Sequence, residues 1–142
     1  MADPTTSANA MPAMSVAASA LRAQQARMRV IAENMANADS VSTTPGGDPY
    51  RRQIPVFTPK MTPGGLPGVS MSSVAADTTP FKSEFSPGHP SADAKGYVKT
   101  SNVNPLVEAL DMRDAQRAYS ANISVIETAR AMDNDTMTLL KQ

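Results

Sequence analysis

His89 is the only histidine of the chain, and therefore the only side chain whose ordinary pKa suits a general base near neutral pH. It lies between Pro87 and Pro90, in a segment whose residue types favour a turn. A hydrolase could pair it with Asp93, but no Gly-x-Ser-x-Gly elbow precedes a helix. A zinc site needs three or four nitrogen or sulfur ligands, and the chain has no cysteine. We therefore predict a protein that is not an enzyme and that holds no metal and no cofactor.

The sequence also lacks the usual signals for phosphates, nucleic acids and membranes. The glycines of residues 64–68 open no helix and are not followed by Lys-Ser or Lys-Thr, so they do not form a phosphate-binding loop. Thirteen basic and thirteen acidic residues give a net charge of 0, which provides no attraction to nucleic acid. No apolar run approaches the roughly 20 residues of a membrane span. The N-terminus has no basic, apolar leader, so we expect no cleaved signal peptide.

The apolar core is small for the length of the chain. Leu, Ile, Val and Phe make up about 16 per cent of the 142 residues, and tryptophan is absent. Such a composition buries too little apolar surface to offset the conformational entropy of folding. Burial against partner subunits is the expected remedy.

Glycine and proline divide the chain. All seven glycines lie between Gly46 and Gly96, and nine of the twelve prolines lie between Pro45 and Pro90. Residues 13–44 and 106–142 lack both and are rich in helix-forming residues, so we predict a helix at each end. The predicted divisions are a flexible tail at 1–13, an N-terminal helix at 14–40, a small outer β and loop domain at 41–104, and a C-terminal helix at 105–142.

The N-terminal helix, predicted from about Ser15 to Asp39, carries a heptad pattern. Apolar residues and one glutamine alternate in steps of three and four, as in a coiled coil. Asn34 and Asn37 lie beside this pattern, and their polarity favours a surface position over interhelical hydrogen bonds. The first-helix seam consists of Met14, Ala17, Leu21, Gln24, Met28, Ile31, Met35 and Ala38.

The C-terminal helix carries two adjacent stripes, which together make a face broad enough for more than one neighbour. We name them the valine stripe (Ala118, Ala121, Val125, Thr128, Met132 and Leu139) and the tyrosine stripe (Met112, Ala115, Tyr119, Ile126, Ala129 and Leu140). One stripe is expected to pack against the N-terminal helix, and the other, with Tyr119 and Ile126, to face neighbouring subunits. The predicted interface residues are Leu21, Met28, Ile31, Asn34, Met35, Asn37, Leu110, Ala118, Tyr119, Asn122, Val125, Ile126, Met132 and Leu139.

The middle of the chain contains four short stretches that read as extended segments, at residues 50–57, 69–74, 81–85 and 96–99. Pro55 confines the first of them to the edge of a sheet. The predicted fold class is therefore mainly α: the terminal helices pair as an antiparallel coiled coil, and a small β-containing, Gly/Pro-rich segment lies between them.

Three groups of residues carry a resemblance to a known family. Residues 31–39, with the sequence Ile-Ala-Glu-Asn-Met-Ala-Asn-Ala-Asp, resemble the N-terminal signature of the flagellar basal-body rod proteins. Residues 115–123, which contain Arg-Ala-Tyr-Ser-Ala-Asn, are similar to an element shared by the flagellar axial proteins. The middle motifs, at 49–52, 87–98 and 102–103, resemble one component of the proximal rod more than its other components.

This resemblance implies a structural protein that is exported through the flagellar type III apparatus and assembles helically in the periplasm. It implies an inner coiled-coil domain, an outer β-containing domain and a role in transmitting torque from motor to hook. The implied partners are other copies of the chain, other rod and basal-body proteins, and the export apparatus. An alternative from another class is a helical export chaperone or adaptor, although such a protein needs neither the Gly/Pro-rich insertion nor heptads at both ends.

Overall fold

The structure, a computed structural model, describes residues 7–139, with side chains from residue 12 onward. Two helices flank four strands in the order α1, β1, β2, β3, β4, α2. The strands form two separate two-stranded antiparallel sheets, β1 with β2 and β3 with β4. The bounds are α1 Ser7–Ala36, β1 Gln53–Met61, β2 Pro67–Ala76, β3 Lys82–Phe85, β4 Tyr97–Thr100 and α2 Pro105–Leu139.

The predicted fold class, mainly α with an antiparallel coiled coil, is wrong. The four strands contain 9, 10, 4 and 4 residues, so two sheets are a substantial part of the fold beside helices of 30 and 35 residues. The first helix also shares its buried side with strand residues, as shown by the hydrogen bond from Val69 N to Ser19 Oγ (3.3 Å). A two-helix coiled coil reserves that side for its partner helix. Each of the four predicted extended segments does overlap a strand.

The first helix begins earlier than the sequence indicates. It starts at Ser7 and contains Pro12, whereas the predicted start is near Ser15. Proline is tolerated in the first turns of a helix because the missing N–H removes few intrahelical bonds there. Ser15 is not an N-cap; its Oγ donates to the carbonyl of Pro12 at 2.8 Å. Of the predicted tail, residues 1–6 lie outside the described residues and residues 7–13 belong to α1.

The second helix begins at the predicted residue, Pro105, for a simple local reason. Asn104 is its N-cap, because Asn104 Oδ1 accepts the N–H of Leu106 at 3.1 Å. Proline at the first helical position has no N–H to leave unsatisfied. Glu108 lies in the first turn, where its negative charge interacts favourably with the helix dipole.

Residues in the turns stabilise the two hairpins, β1–β2 and β3–β4. In the β1–β2 turn the N–H of Thr62 donates to the carbonyl of Leu66 at 2.8 Å. In the β3–β4 hairpin Gly96 has φ of +83°, and a Cβ at this position would lie 3.0 Å from Phe85 Cε2. Glycine is therefore needed there both for its backbone conformation and for the close approach of the ring.

Residue contacts divide the described chain into two units. The first consists of residues up to Arg27, Phe57–Ser72 and residues from Asp114 onward; the second consists of Met28–Val56 and Ser73–Arg113. The predicted inner and outer domains stay a prediction. Within residues 7–139, neither helix combines the length and apolar content that crossing a membrane requires.

Candidate assembly interface

A buried ion cluster lies in the second unit, and we name it the Arg52 cluster: Asn34, Arg52, Asp77, Glu108 and Asp111. Glu108 has no solvent exposure, and its Oε1 lies 2.6 Å from Arg52 Nε. The other two guanidinium nitrogens lie 3.4 Å from Asp77 Oδ2 and 3.5 Å from Asp111 Oδ2. One arginine thus faces three carboxylates, and it connects the start of α2 to the segment after β2.

Asn34 completes the cluster from α1 and uses both ends of its amide. Its Oδ1 accepts the backbone N–H of Gln53 (2.9 Å) and the hydroxyl of Tyr50 (3.0 Å). Its Nδ2 donates to the carbonyl of Gln53 (2.8 Å) and to Glu108 Oε2 (3.1 Å). The prediction of a surface position is therefore wrong for Asn34, which is 1% exposed and bonds across to the other helix.

Asn37, the other asparagine of the signature, has a local role. It is half-buried, and its Nδ2 donates to the carbonyl of Glu33 at 2.8 Å in the last turn of α1. The backbone N–H of Asn37 donates to the same carbonyl at 3.2 Å, so the side chain adds a second hydrogen bond at the end of the helix. Two asparagines three residues apart therefore act on different scales, one on the tertiary fold and one on the helix end.

The charges of the cluster perturb its titratable groups. Burial by itself lowers the pKa of Arg52, but the hydrogen bond and charge of Glu108, with those of Asp77, outweigh this and raise the pKa above its ordinary value. Hydrogen bonds from the hydroxyl and N–H of Thr79, followed by Arg52, lower the pKa of Asp77. Burial, with the negative charges of Glu33 and Glu108, raises the pKa of Tyr50. All three shifts favour the charged pair Arg52–Asp77 and a neutral Tyr50 hydroxyl.

The first-helix seam is buried unevenly. Ala17, Ile31 and Ala38 are buried, Leu21 and Met28 are half-buried, and Met35 is 41% exposed. A second row outside the seam is buried as well: Ser19, Ala23, Val30 and Asn34. The buried side of α1 is thus wider than a single heptad seam, and the row that begins at Met14 and includes Leu21 and Met28 is its open margin.

The two stripes of α2 differ in exposure. In the tyrosine stripe Ala115 and Ala129 are buried and Tyr119 and Ile126 are half-buried; Leu140 lies outside the described residues. Tyr119 also accepts a hydrogen bond at its Oη from Gln25 Nε2 (3.4 Å), within the first unit. The chain itself thus buries two alanines of the tyrosine stripe, and the expectation that Tyr119 and Ile126 face neighbouring subunits stays a prediction.

The valine stripe is the exposed one. Val125 is 46% exposed, Met132 52% and Leu139 75%, while Ala118 and Asn122 are half-buried beside it. At the other end of α2, Leu106 and Leu110 are 70% and 53% exposed. The predicted interface residues thus fall into three groups: Ile31 and Asn34 are buried, seven are half-buried, and the exposed ones are Met35, Leu110, Val125, Met132 and Leu139.

No catalytic arrangement appears among the described residues. His89 Nδ1 accepts the N–H of Ser91 at 3.1 Å, which commits that nitrogen to the turn predicted from the flanking prolines. No group of three or more His, Asp or Glu side chains is placed to hold a metal ion in this part of the chain.

Arg52 and Glu108 are absent from the predicted interface residues. Arg51 and Arg52 are adjacent but make different contacts: Cζ of Arg51 lies 4.1 Å from the Phe81 ring centroid, and Arg52 belongs to the Arg52 cluster. For Glu108 the sequence offers one signal, a carboxylate in the first turn of a predicted helix. That signal does not indicate that Arg52 is its partner.

Two family models match the chain. The model of the flagella basal body rod protein matches residues 14–42, and that of the flagellar basal body rod FlgEFG protein C-terminal region matches residues 94–139. These ranges contain α1 from Met14 onward, β4 and all of α2. The matched regions thus include both sequence signatures that carried the resemblance.

Curated relatives match nearly the whole chain. The flagellar basal-body rod protein FlgC of Agrobacterium fabrum is 42% identical over 130 residues, covering 91% of this chain and 94% of the relative. FlgC of Salmonella typhimurium is 46% identical over 125 residues, covering 87% and 92%. FlgC of Borreliella burgdorferi is 38% identical over 146 residues, covering 90% and 95%. Identity at this level across almost the full length of both chains confirms the predicted family, and the chain belongs to the FlgC family of flagellar basal-body rod proteins.

Proposed function

We propose that this chain is a structural subunit of the proximal rod of the bacterial flagellum, where it assembles helically with other copies and other rod and basal-body proteins. In this role it transmits torque from the motor to the hook. The observation that carries the proposal, beside the family, is the exposure of the valine stripe along α2. An exposed apolar row of this length is unusual on a protein that acts as a monomer, whereas a subunit of a polymer buries such a row against its neighbours.

The composition supports the same function. About 16 per cent Leu, Ile, Val and Phe is too little for α2, about 50 Å long at ~1.5 Å per residue, to be shielded by its own chain. Partner subunits that bind only the ordered form stabilise it by mass action. Order in the distal half of α2 therefore depends on assembly.

The remaining parts of the proposal concern transport and place. We propose export through the flagellar type III apparatus without a cleaved signal peptide, followed by incorporation into the periplasmic rod of the basal body. Support comes from the family to which the chain belongs. The functional sites of such a protein are its interfaces with other subunits. We expect no catalytic residues.

Fractionation tests this function against the chaperone alternative. A deletion strain complemented with the tagged chain is expected to swim, and the chain is expected to copurify with detergent-extracted basal bodies. A chaperone or adaptor would instead remain in the cytosolic fraction. Recovery from the cytosol alone, with motility restored, would refute the structural role.

A further inference from the structure

The valine stripe forms a complete heptad seam once Asp135 is added to it. Asp135 lies three residues after Met132 and four before Leu139, so the steps of three and four continue from Ala118 to Leu139 without interruption. From Ala121 onward every member is exposed. The seam has the spacing of a coiled coil, but no helix within the described residues covers it from Ala121 to Leu139.

A seam of this period fits only a helix with the same period. The first unit contains one, in the part of α1 that it holds. There Met14 and Leu21 are half-buried members of the first-helix seam, seven residues apart. They lie at the margin of the buried side of α1 and are only half-buried, so part of each side chain is accessible to a second helix.

The charges at the two surfaces are complementary. Asp135 occupies a core position of the seam, is exposed, and makes no ion pair in the described part of the chain. Arg22 directly follows Leu21, is exposed, and likewise has no ion pair within residues 7–139. A carboxylate at the core of an apolar helix contact is costly unless a cation pairs with it.

We infer that the valine stripe of one copy docks on the Met14–Leu21 margin of α1 in a second copy, with Asp135 paired to Arg22 of that copy. This inference rests on the proposed function and specifies which surfaces meet. The two surfaces differ, so the contact is heterologous and leaves one unused surface of each kind at the ends. Repetition of such a contact without closure generates a helical polymer rather than a closed dimer.

Cross-linking tests the contact directly because the natural chain has no cysteine. Two singly substituted chains, Arg22→Cys and Asp135→Cys, are co-expressed with different tags, and basal bodies are purified and mildly oxidised. The expected product is a disulfide-linked pair of chains that carries both tags. The matched control replaces Asp135→Cys by Glu127→Cys, since Glu127 is an exposed acid on the same helix, about 200° from Val125 around the axis.

Charge reversal provides an independent measurement. Asp135→Arg and Arg22→Asp, each alone, are expected to reduce incorporation into basal bodies by about tenfold, because like charges then meet at the contact. Both substitutions in one chain are expected to restore it. Glu127→Arg, which makes the same charge change off the seam, is expected to leave incorporation near the natural level.

The outcomes separate the contact from the function. If the natural chain enters basal bodies but Asp135→Cys cross-links no better than Glu127→Cys, and the double reversal restores nothing, the docking is wrong and the rod function stands. If the natural chain does not enter basal bodies, the rod function fails and the inference fails with it. Cross-linking of Arg22→Cys only to itself would point to a symmetric contact and overturn the heterologous one.

Discussion

Helices α1 and α2 carry heptad patterns of the same kind and use them differently. Helix α1 buries residues on and beside its seam, including Ile31 at 3% exposure and Asn34 at 1%. Helix α2 buries mainly small or charged residues, Glu108, Ala115 and Ala129, and exposes Val125 and Met132. The difference shows that a heptad pattern alone does not tell which of its residues are buried within the chain.

The largest expected loss of stability comes from disrupting the buried contacts between Arg52 and Glu108. Arg52→Met leaves Glu108 buried without its cation, which costs about 3–5 kcal/mol of unfolding free energy. Urea denaturation followed by circular dichroism measures this loss. The control is Lys99→Met, whose exposed pair with Asp48 is screened by solvent, so a much smaller loss is expected. Equal losses in the two variants would show that Arg52 has no special role.

Asn34→Ala removes the amide that serves Gln53 and Glu108 together, and we expect a loss of about 3 kcal/mol, since buried polar partners are left unsatisfied. Asn37→Ala removes one bond at the end of α1 and is expected to cost less than about 1 kcal/mol. Thermal unfolding of the two variants in parallel gives the comparison. A reversed order would mean that the local bond matters more than the tertiary ones.

Amide hydrogen exchange on the unsubstituted monomer compares the stability of the Arg52 cluster with that of the C-terminal end of α2. The amides of Arg52 and Gln53 donate to Asn102 Oδ1 (2.7 Å) and Asn34 Oδ1 (2.9 Å), so they exchange only when the cluster opens. Amides of the last turns of α2 are expected to exchange at least about a hundredfold faster, because few buried contacts hold that end. Uniform protection along both helices would contradict folding that depends on assembly.

Two neighbouring residues of α2 sharpen the comparison further. Ile126→Asp places a charge on the half-buried tyrosine stripe and is expected to destabilise the monomer by about 1–2 kcal/mol. Val125→Asp lies on the exposed valine stripe and is expected to change monomer stability by less than about 0.5 kcal/mol while abolishing motility. Circular dichroism and swimming assays together separate the two. A motile Val125→Asp strain would exclude the valine stripe from any packed contact.

The smallest expected effect is on acid stability. The pKa of Asp77 is lowered in the folded chain, so its contribution is present above the ordinary carboxyl value of about 4 and is lost as pH falls through the folded pKa. We expect a decline of no more than about 1 kcal/mol below pH 4 from this group. Asp77→Asn is expected to flatten that part of the profile, and an unchanged slope would assign the acid sensitivity to other carboxylates.

Much of the fold follows from local chemistry. The break-free segments locate both helices, Pro105 marks the start of α2, and each extended segment overlaps a strand. The fold class was wrong because heptad spacing on α1 suggested a helix as its sole partner, whereas Ser19 and Asn34 bond to strand backbone. Asn34, Arg52 and Glu108 are far apart in sequence, and nothing in their local patterns indicates that they meet. Which stripe of α2 is exposed depends on that same tertiary arrangement.

The prolines of β1 limit how this chain can aggregate. Gln53 bonds to Asn34 through both its N–H and its carbonyl, so alternate residues from Gln53 direct their backbone groups away from β2. Pro55 and Pro59 follow at those alternate positions, and neither has an N–H to offer to an added strand. This edge of β1 is therefore a poor template for the addition of a strand from another molecule and for cross-β growth.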